Sequence, residues 1–252
     1  MEVISSRKNA YIQHIRCLST DKAYREEKNE YVCDGMKLLS EAIRFGSEIR
    51  SVLWRNQQEK TELPDSVRQY VAQDDLFEYA SPLKNSPGPV FAVAIPSGRR
   101  MDADHGILVL ENVQDPGNVG TVIRTANAFQ LGTVILTGDC ADLYHPKTVR
   151  ATMGAIFRQN VVRTDLPGLK QILLECNLPL YGAALSDKSI DIRSVLNEKA
   201  VYAVGSEGKG LSDEILSMCK KQVIIPMNPD SESLNAAVAA SVIMWEISGR
   251  RL

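Results

Sequence analysis

The chain lacks any apolar stretch approaching the roughly 18 residues that a membrane-spanning helix needs, and its opening residues, MEVISSRKNA, hold no apolar signal-peptide core. A cytoplasmic location and no membrane partner are therefore expected. Cysteine is sparse: the five residues at 17, 33, 140, 176 and 219 are odd in number and never spaced CxxC. That argues against a disulfide framework and a zinc site, and all five read as buried thiols. Histidine is scarcer, with His14, His105 and His145 isolated and no carboxylate cluster at metal-ligand spacing, so no metal is expected. Excess charge is missing too: 29 Lys and Arg against 31 Asp and Glu give a formal net charge of −2. Such a chain does not coat nucleic acid by charge alone, so any such contact must be local. The basic residues at Arg7, Lys8, Arg16, Arg99 and Arg100 read as solvated surface charge.

What is present is an ordinary globular composition, 44% hydrophobic and 24% charged over 252 residues, long enough for two domains or one large α/β domain. In the first hundred residues, Lys8 to Leu18 has helical spacing (Tyr11, Ile12, Ile15, Leu18), and DKAYREEKNE reads as an exposed connection. EYVCDG, SVLW and VFAVAI read as strands. MKLLSEAIRFG is an amphipathic helix with Leu38, Leu39, Ala42 and Ile43 inward and Gly46 past its end, and LPDSVRQYV reads as helical. The polar segment from Ser97 to His105 marks a boundary between a small α/β domain, 1–98, and a second domain, 106–252. Beyond it, GILVLEN, TVILTGD, LPLYGAAL, VYAVGSE and QVIIPM alternate with helical segments. Apolar runs without polar alternation, separated by helices, indicate a parallel sheet covered on both faces.

Three loops follow such strands, and in open parallel sheets ligands bind at the carboxyl ends of strands. The first, in ENVQDPGNVGTVIRTANAF, bends sharply at DPGNVG and carries Asn118, with Arg124 in the helix that follows among the core-like Val122, Ile123, Ala126 and Phe129. The second, GSEGKGLSDEI, has glycines at 205, 208 and 210 that fit neither GxGxxG nor GxxxxGK[ST]. They would still let backbone approach a ligand, with Glu207 among them and Ser212 as a helix N-cap. The third, in VIIPMNPDSESLNAAVAASVIMW, offers Asp230 or Ser231 as the cap of the last helix. Asn235 then falls past the helix start, where its amide needs partners.

Taken together and in order, NVQDPGNVGTVIRTANAF, AVGSEGKGL and IIPMNPDSESLNAAVAA resemble the three motifs of the SpoU (TrmH-like) branch of the SPOUT RNA methyltransferases. The resemblance extends over residues 106 to 252, and KTVRATMGAIFR looks like the family as well. ISSRKNAYIQHIRCL and EYVCDGMKLLSEA are similar to the substrate-binding domain, related to a ribosomal-protein RNA-binding fold, that many members carry. The resemblance implies a deep trefoil knot, a homodimer, S-adenosylmethionine as methyl donor, and methylation of a ribose 2′-hydroxyl in structured RNA. Large-subunit ribosomal RNA fits the amino-terminal domain better than transfer RNA. Gly205, Ile225 and Leu234 fall where members contact the cofactor, and Met227 lines the same pocket.

The same resemblance makes Arg124 the group that activates the hydroxyl. A guanidinium, with a pKa above about 12, rarely gives up its proton. Gripping a phosphate or stabilising a developing alkoxide is the more conservative role, with Glu207 and Asn118 orienting it and Ser233 and Asn235 bonding the RNA backbone or the arginine. NPDSE departs from the pattern, since relatives often place a glycine after the methionine and one more residue. The alternative, a non-catalytic RNA-binding or ribosome-assembly protein, is opposed by the joint presence of Arg124, Glu207, Ser233 and Asn235. A nucleotide-dependent enzyme fails on glycine spacing.

Overall fold

The computed structural model describes residues 1–56, 61–98, 101–195, 199–228 and 233–248; the readings of Arg99, Arg100, Asp230 and Ser231 fall outside these. The chain divides into two compact units, Met1–Ser97 with Asp142–Phe157, and Gly98–Ala141 with Arg158–Leu252. The segment from Asp142 to Phe157, given to the second domain on sequence, thus clusters with the first.

The first unit runs β1 (Glu2–Ile4), α1 (Ala10–Thr20), α2 (Lys22–Lys28), β2 (Glu30–Asp34), α3 (Met36–Arg44), β3 (Ile49–Arg55), β4 (Arg68–Ala72), α4 (Asp74–Ala80) and β5 (Val90–Ala94). Among the described residues its five strands lie in the order β1-β4-β3-β5-β2, the first three mutually parallel and β5 antiparallel to both neighbours. Asn9 starts α1 by accepting the Tyr11 N–H at 2.8 Å, and Tyr11, Ile12, Ile15 and Leu18 are buried as their spacing predicts.

Four expectations fail. DKAYREEKNE is helix α2: Asp21 accepts the Tyr24 N–H at 3.2 Å, and Asn29 closes the helix in the left-handed region. Its Arg25, only 3% exposed, donates to Asp142 Oδ2 through Nε at 3.1 Å and Nη2 at 2.5 Å, and to the Leu18 carbonyl at 2.6 Å. LPDSVRQYV instead ends in strand β4. Leu63, Val67 and Val71 imitate a helical stripe, but pairing with β1 and β3 on both sides settles the conformation, and Tyr70 stacks on Tyr11. In α3, Ile43 is 40% exposed rather than inward, while Leu38, Leu39 and Ala42 are buried. Three of the thiols read as buried, Cys17, Cys176 and Cys219, are half-buried.

The second unit opens with β6 (Ile107–Glu111), α5 (Pro116–Ala128) and β7 (Thr133–Thr137). The chain then supplies α6 (Pro146–Ala151) to the first unit before continuing as β8 (Asn160–Arg163), α7 (Leu166–Cys176), β9 (Leu180–Ala183), β10 (Ile190–Asp191), β11 (Val201–Val204), α8 (Asp213–Met218), β12 (Cys219–Ile224) and α9 (Ala236–Ser248). Among the described residues, seven strands pair in the order β10-β12-β9-β11-β6-β7-β8, all parallel, as the unbroken apolar runs predict. Every residue of β6, β7 and β11 is buried. Ile107, Val109, Ile135, Val201 and Ala203 pack with Leu169 of α7 and Ile215 of α8, while α5 and α9 pack on each other and on β7 and β11. At about 1.5–3 kcal/mol for each large apolar side chain buried, this double-faced sheet dominates the stability of the unit. Strand β6 has β7 on one side and β11 on the other, so the chain reverses its direction of travel across the sheet there, a position that favours a ligand crevice.

Candidate functional site

The loops leaving β6, β11 and β12 meet through three side chains. Asp115 starts α5 by accepting the Asn118 N–H at 2.8 Å, with Pro116 in the first turn, where no backbone donor is lost. Asn118 then donates from Nδ2 to Glu207 Oε1. Asn235 donates from Nδ2 to the same Oε1 at 3.3 Å and to Asn118 Oδ1 at 3.2 Å, and the Ala236 N–H reaches Glu207 Oε1 at 3.3 Å. One carboxylate oxygen therefore collects donors from two loops, while Oε2 has no hydrogen-bond partner among the described residues.

Asn235 is also the cap of α9. Its Oδ1 accepts the N–H groups of Ala237 at 2.9 Å and Val238 at 3.2 Å, and its carbonyl accepts from Ala239 at 2.9 Å. The sequence reading placed this residue beyond the helix start, which the structure corrects. Asparagine before an alanine-rich run is among the strongest cap signals, and it was present in LNAAVAA. Because Oδ1 faces two N–H groups, the amide nitrogen is obliged to face Glu207, so the cap sets the polarity of the network.

Gly205 sits where the second loop closes. A Cβ there would lie 2.1 Å from the carbonyl carbon and oxygen of Gly210, and Gly210 N–H bonds the Ser206 carbonyl at 2.8 Å. Ser212 caps α8 as expected, accepting the Ile215 N–H at 3.3 Å.

The turn forms one wall of a cavity of about 610 Å³, within the size range of small-molecule sites. Gly205, Ile225, Met227 and Leu234, the four residues read as cofactor-binding, all line it, as do Glu207 and Ser233. Val204, Leu211 and Ile224 add apolar surface. This mix of apolar wall, close backbone and a few polar side chains suits a molecule with a flat base and a charged tail. The sequence reading missed Ser186 and Gln222 in the lining, which bond each other at 2.6 Å. Both lie near the carboxyl ends of β9 and β12, so the strand-end rule that flagged the other loops applied to them equally.

Arg124 does not join the network. It projects exposed from α5, and no hydrogen bond or ion pair connects it to any described residue, although Val122, Ile123 and Ala126 around it are buried as predicted. Glu207 and Asn118 are thus engaged with each other rather than orienting it. Ser233 is exposed at the cavity, also without a hydrogen bond among the described residues. On the α5–α9 surface, Trp245 is 57% and Val238 48% exposed, and Phe129 lies against Trp245 with ring centroids 5.6 Å apart. A second cavity, about 640 Å³, lies at the ends of β6, β7 and β8 and is lined by none of the predicted site residues. No group of three or more His, Cys, Asp or Glu among the described residues is arranged to hold a metal ion.

Comparison with known proteins follows the same lines. The model of the SpoU rRNA Methylase family matches residues 105–245. The chain is 29% identical to the 23S rRNA (guanosine(2553)-2'-O)-methyltransferase RlmP of Bacillus subtilis, over 99% of this chain and all of the relative. It is likewise 29% identical to the 23S rRNA (uridine(2479)-2'-O)-methyltransferase of Streptomyces viridochromogenes, over 99% of this chain and 92% of that one. Among solved structures, the SpoU methyltransferase AviRb from Streptomyces viridochromogenes, in complex with the cofactor AdoMet, superposes with a TM-score of 0.82 at 26% identity, covering 96% of this chain and 99% of that one.

Proposed function

The chain belongs to the SpoU rRNA methylase family, and on that premise we propose that it is an enzyme that methylates a ribose 2′-hydroxyl of ribosomal RNA, with S-adenosylmethionine as the donor. The observation that carries this reading is the meeting of Asn118, Glu207 and Asn235 beside a cavity of about 610 Å³ that Gly205, Ile225, Met227 and Leu234 line. The relatives named as 23S rRNA 2'-O-methyltransferases and the AdoMet complex support the same chemistry.

The bound cofactor supplies an electrophilic methyl group. The chain's own task is to bring a 2′-hydroxyl into line with it and manage the proton, and positioning contributes much of such a rate. The three loops would hold the cofactor through backbone and apolar contacts around Gly205, Ile225 and Leu234. Glu207 Oε1 is saturated, so its Oε2 is the oxygen open to the substrate, where it accepts a hydrogen bond from the ribose. Arg124, a cation free of described partners, is suited to a phosphate or to the developing alkoxide. Ser233 adds a hydroxyl at the rim. In this reading Arg124 acts from the substrate's other side rather than as a residue steered by Glu207.

The exposed Trp245 and Val238, with the half-buried Phe129 against Trp245, support a homodimer through the α5–α9 surface, since a bare tryptophan on an apolar helix face is a natural interface core. The knot implied by the family motifs fits the way the 205–211 loop and residues Ile225, Met227, Ser233 and Leu234 share one cavity. The first unit would bind the RNA around the target. No helix among the described residues is long and apolar enough to cross a membrane. The deciding experiment maps 2′-O-methyl positions in total RNA with and without the gene. Loss of one ribosomal RNA site on deletion, restored by the gene, is the expected result. S-adenosylmethionine binding with no site lost would instead favour a non-catalytic RNA-binding protein.

A further inference from the structure

We propose that Glu111 is a positioning residue that holds the 205–211 loop in register with the rest of the site; this rests on the methyltransferase reading for its consequence, though not for its geometry. Glu111 is the last residue of β6 and only 6% exposed. Both of its oxygens go to one residue: Oε2 accepts the Ser212 N–H at 2.7 Å and Oε1 the Ser212 hydroxyl at 2.6 Å. That hydroxyl also accepts the Ile215 N–H, so the serine is held from both directions.

The other end of the loop hangs from the same strand. Val204 pairs with Leu110 in the parallel ladder, and Gly205 follows. The loop from Gly205 to Leu211 is therefore tied at its start beside Leu110 and at its end by Glu111. Between these ties, Glu207, Gly208, Lys209 and Gly210 are exposed, so core packing does little to place them. Downstream of Glu111 the chain leads within seven residues to Asn118, the donor to Glu207. One buried carboxylate thus fixes the spacing between the loop that carries Asn118 and the loop that carries Glu207 and walls the cavity. Charge-assisted bonds from a buried carboxylate are strong and directional, and no described residue other than Ser212 satisfies Glu111.

Glu111 does not line the cavity in which the predicted cofactor residues meet, so it acts through Ser212. Ser212→Ala removes one of the two bonds, Glu111→Gln removes the charge at constant shape, and Ser212→Thr keeps the hydroxyl. The test is S-adenosylmethionine affinity by calorimetry without RNA, together with amide hydrogen exchange of the 205–211 loop, on variants shown to be folded by thermal melting. Ser212→Ala and Glu111→Gln are each expected to weaken S-adenosylmethionine binding about tenfold and to speed exchange in 205–211 while β6 stays protected. The double variant should bind no more weakly than the worse single variant, because both changes cut one linkage, and Ser212→Thr should return affinity to near the native value. Unchanged exchange and affinity within twofold in Ser212→Ala overturn the proposal, as does full multiplication of the two effects. If the native protein binds S-adenosylmethionine and the variants behave as stated but no ribosomal RNA site depends on the gene, the functional reading fails and the positioning role stands. If the native protein binds no S-adenosylmethionine, the exchange of 205–211 decides the positioning role by itself.

Discussion

Asn235 caps α9 with its oxygen and donates to Glu207 with its nitrogen, at 3.3 Å, so one side chain both starts the last helix and aims the carboxylate. The two jobs separate on substitution. Serine is as good a cap as asparagine but has no amide to give. Asn235→Ser is expected to leave stability within about 0.5 kcal/mol of native by chemical denaturation, whereas Asn235→Ala should lose about 1 kcal/mol. Both should lower methyl transfer at least tenfold, an effect comparable to removing one oriented hydrogen-bond donor. Native turnover by the serine variant would leave Asn235 a cap and nothing more.

Arg124→Lys keeps a positive charge and discards the planar fork. With no described partner to satisfy, the arginine has no structural bond to lose, so thermal stability should be unchanged. If the fork stabilises the developing alkoxide, kcat should fall roughly tenfold to a hundredfold with RNA affinity close to native, and Arg124→Ala should fall further; if it grips a phosphate, RNA affinity should fall instead. Single-turnover methylation alongside filter binding separates the two quantities. Lysine working as well as arginine would reduce the role to point charge.

Trp245→Glu places a charge on the apolar surface that exposes Trp245 and Val238 beside the half-buried Phe129. Light scattering is expected to show a dimer for the native chain and a monomer for the variant, with the fold intact by circular dichroism. A native monomer would overturn the dimer reading, and a dimer insensitive to this change would move the interface elsewhere.

The Cys219 thiol gives a pH signature. Burial pushes its pKa up to about 11 from the ordinary 9.0, and the nearby charge of Glu111 adds to the rise. The folded state holds this proton more tightly than the unfolded state does. The stability it contributes is therefore complete below pH 9 and is lost as pH rises through 11. Iodoacetamide at pH 8 should modify Cys219 much more slowly than a free thiol, and Glu111→Gln should speed that reaction by removing the opposing carboxylate. Labelling as fast as free cysteine would contradict both causes.

The parallel sheet was readable because its strands are buried on both faces, and ILVLE, TVILT and VYAV carry that burial as unbroken apolar runs. The loops that meet were readable because strand ends and glycine or proline turns mark them. What the sequence could not convey was tertiary choice. LPDSVRQYV has spacing compatible with a helix, and only two parallel neighbours make its end a strand. DKAYREEKNE looks like solvated charge until Asp142, more than a hundred residues away, takes up Arg25. Glu111 reads in the sequence as no more than the junction between an apolar strand and its loop. Its partner lies 101 residues on, beyond the reach of any local pattern.

That distant pairing of Arg25 and Asp142 bears on how this architecture can be taken apart. A fragment cut after Ser97, where composition suggests a clean boundary, would carry Arg25 without the carboxylate that neutralises it and without α6. Stranding a buried guanidinium costs about 3–5 kcal/mol, a large part of what a small domain has. The amino-terminal unit is consequently not an interchangeable module. Recombination that swaps it between relatives must exchange two separate stretches of chain together, so its sequence should drift in step with the segment from Asp142 to Phe157 that it borrows.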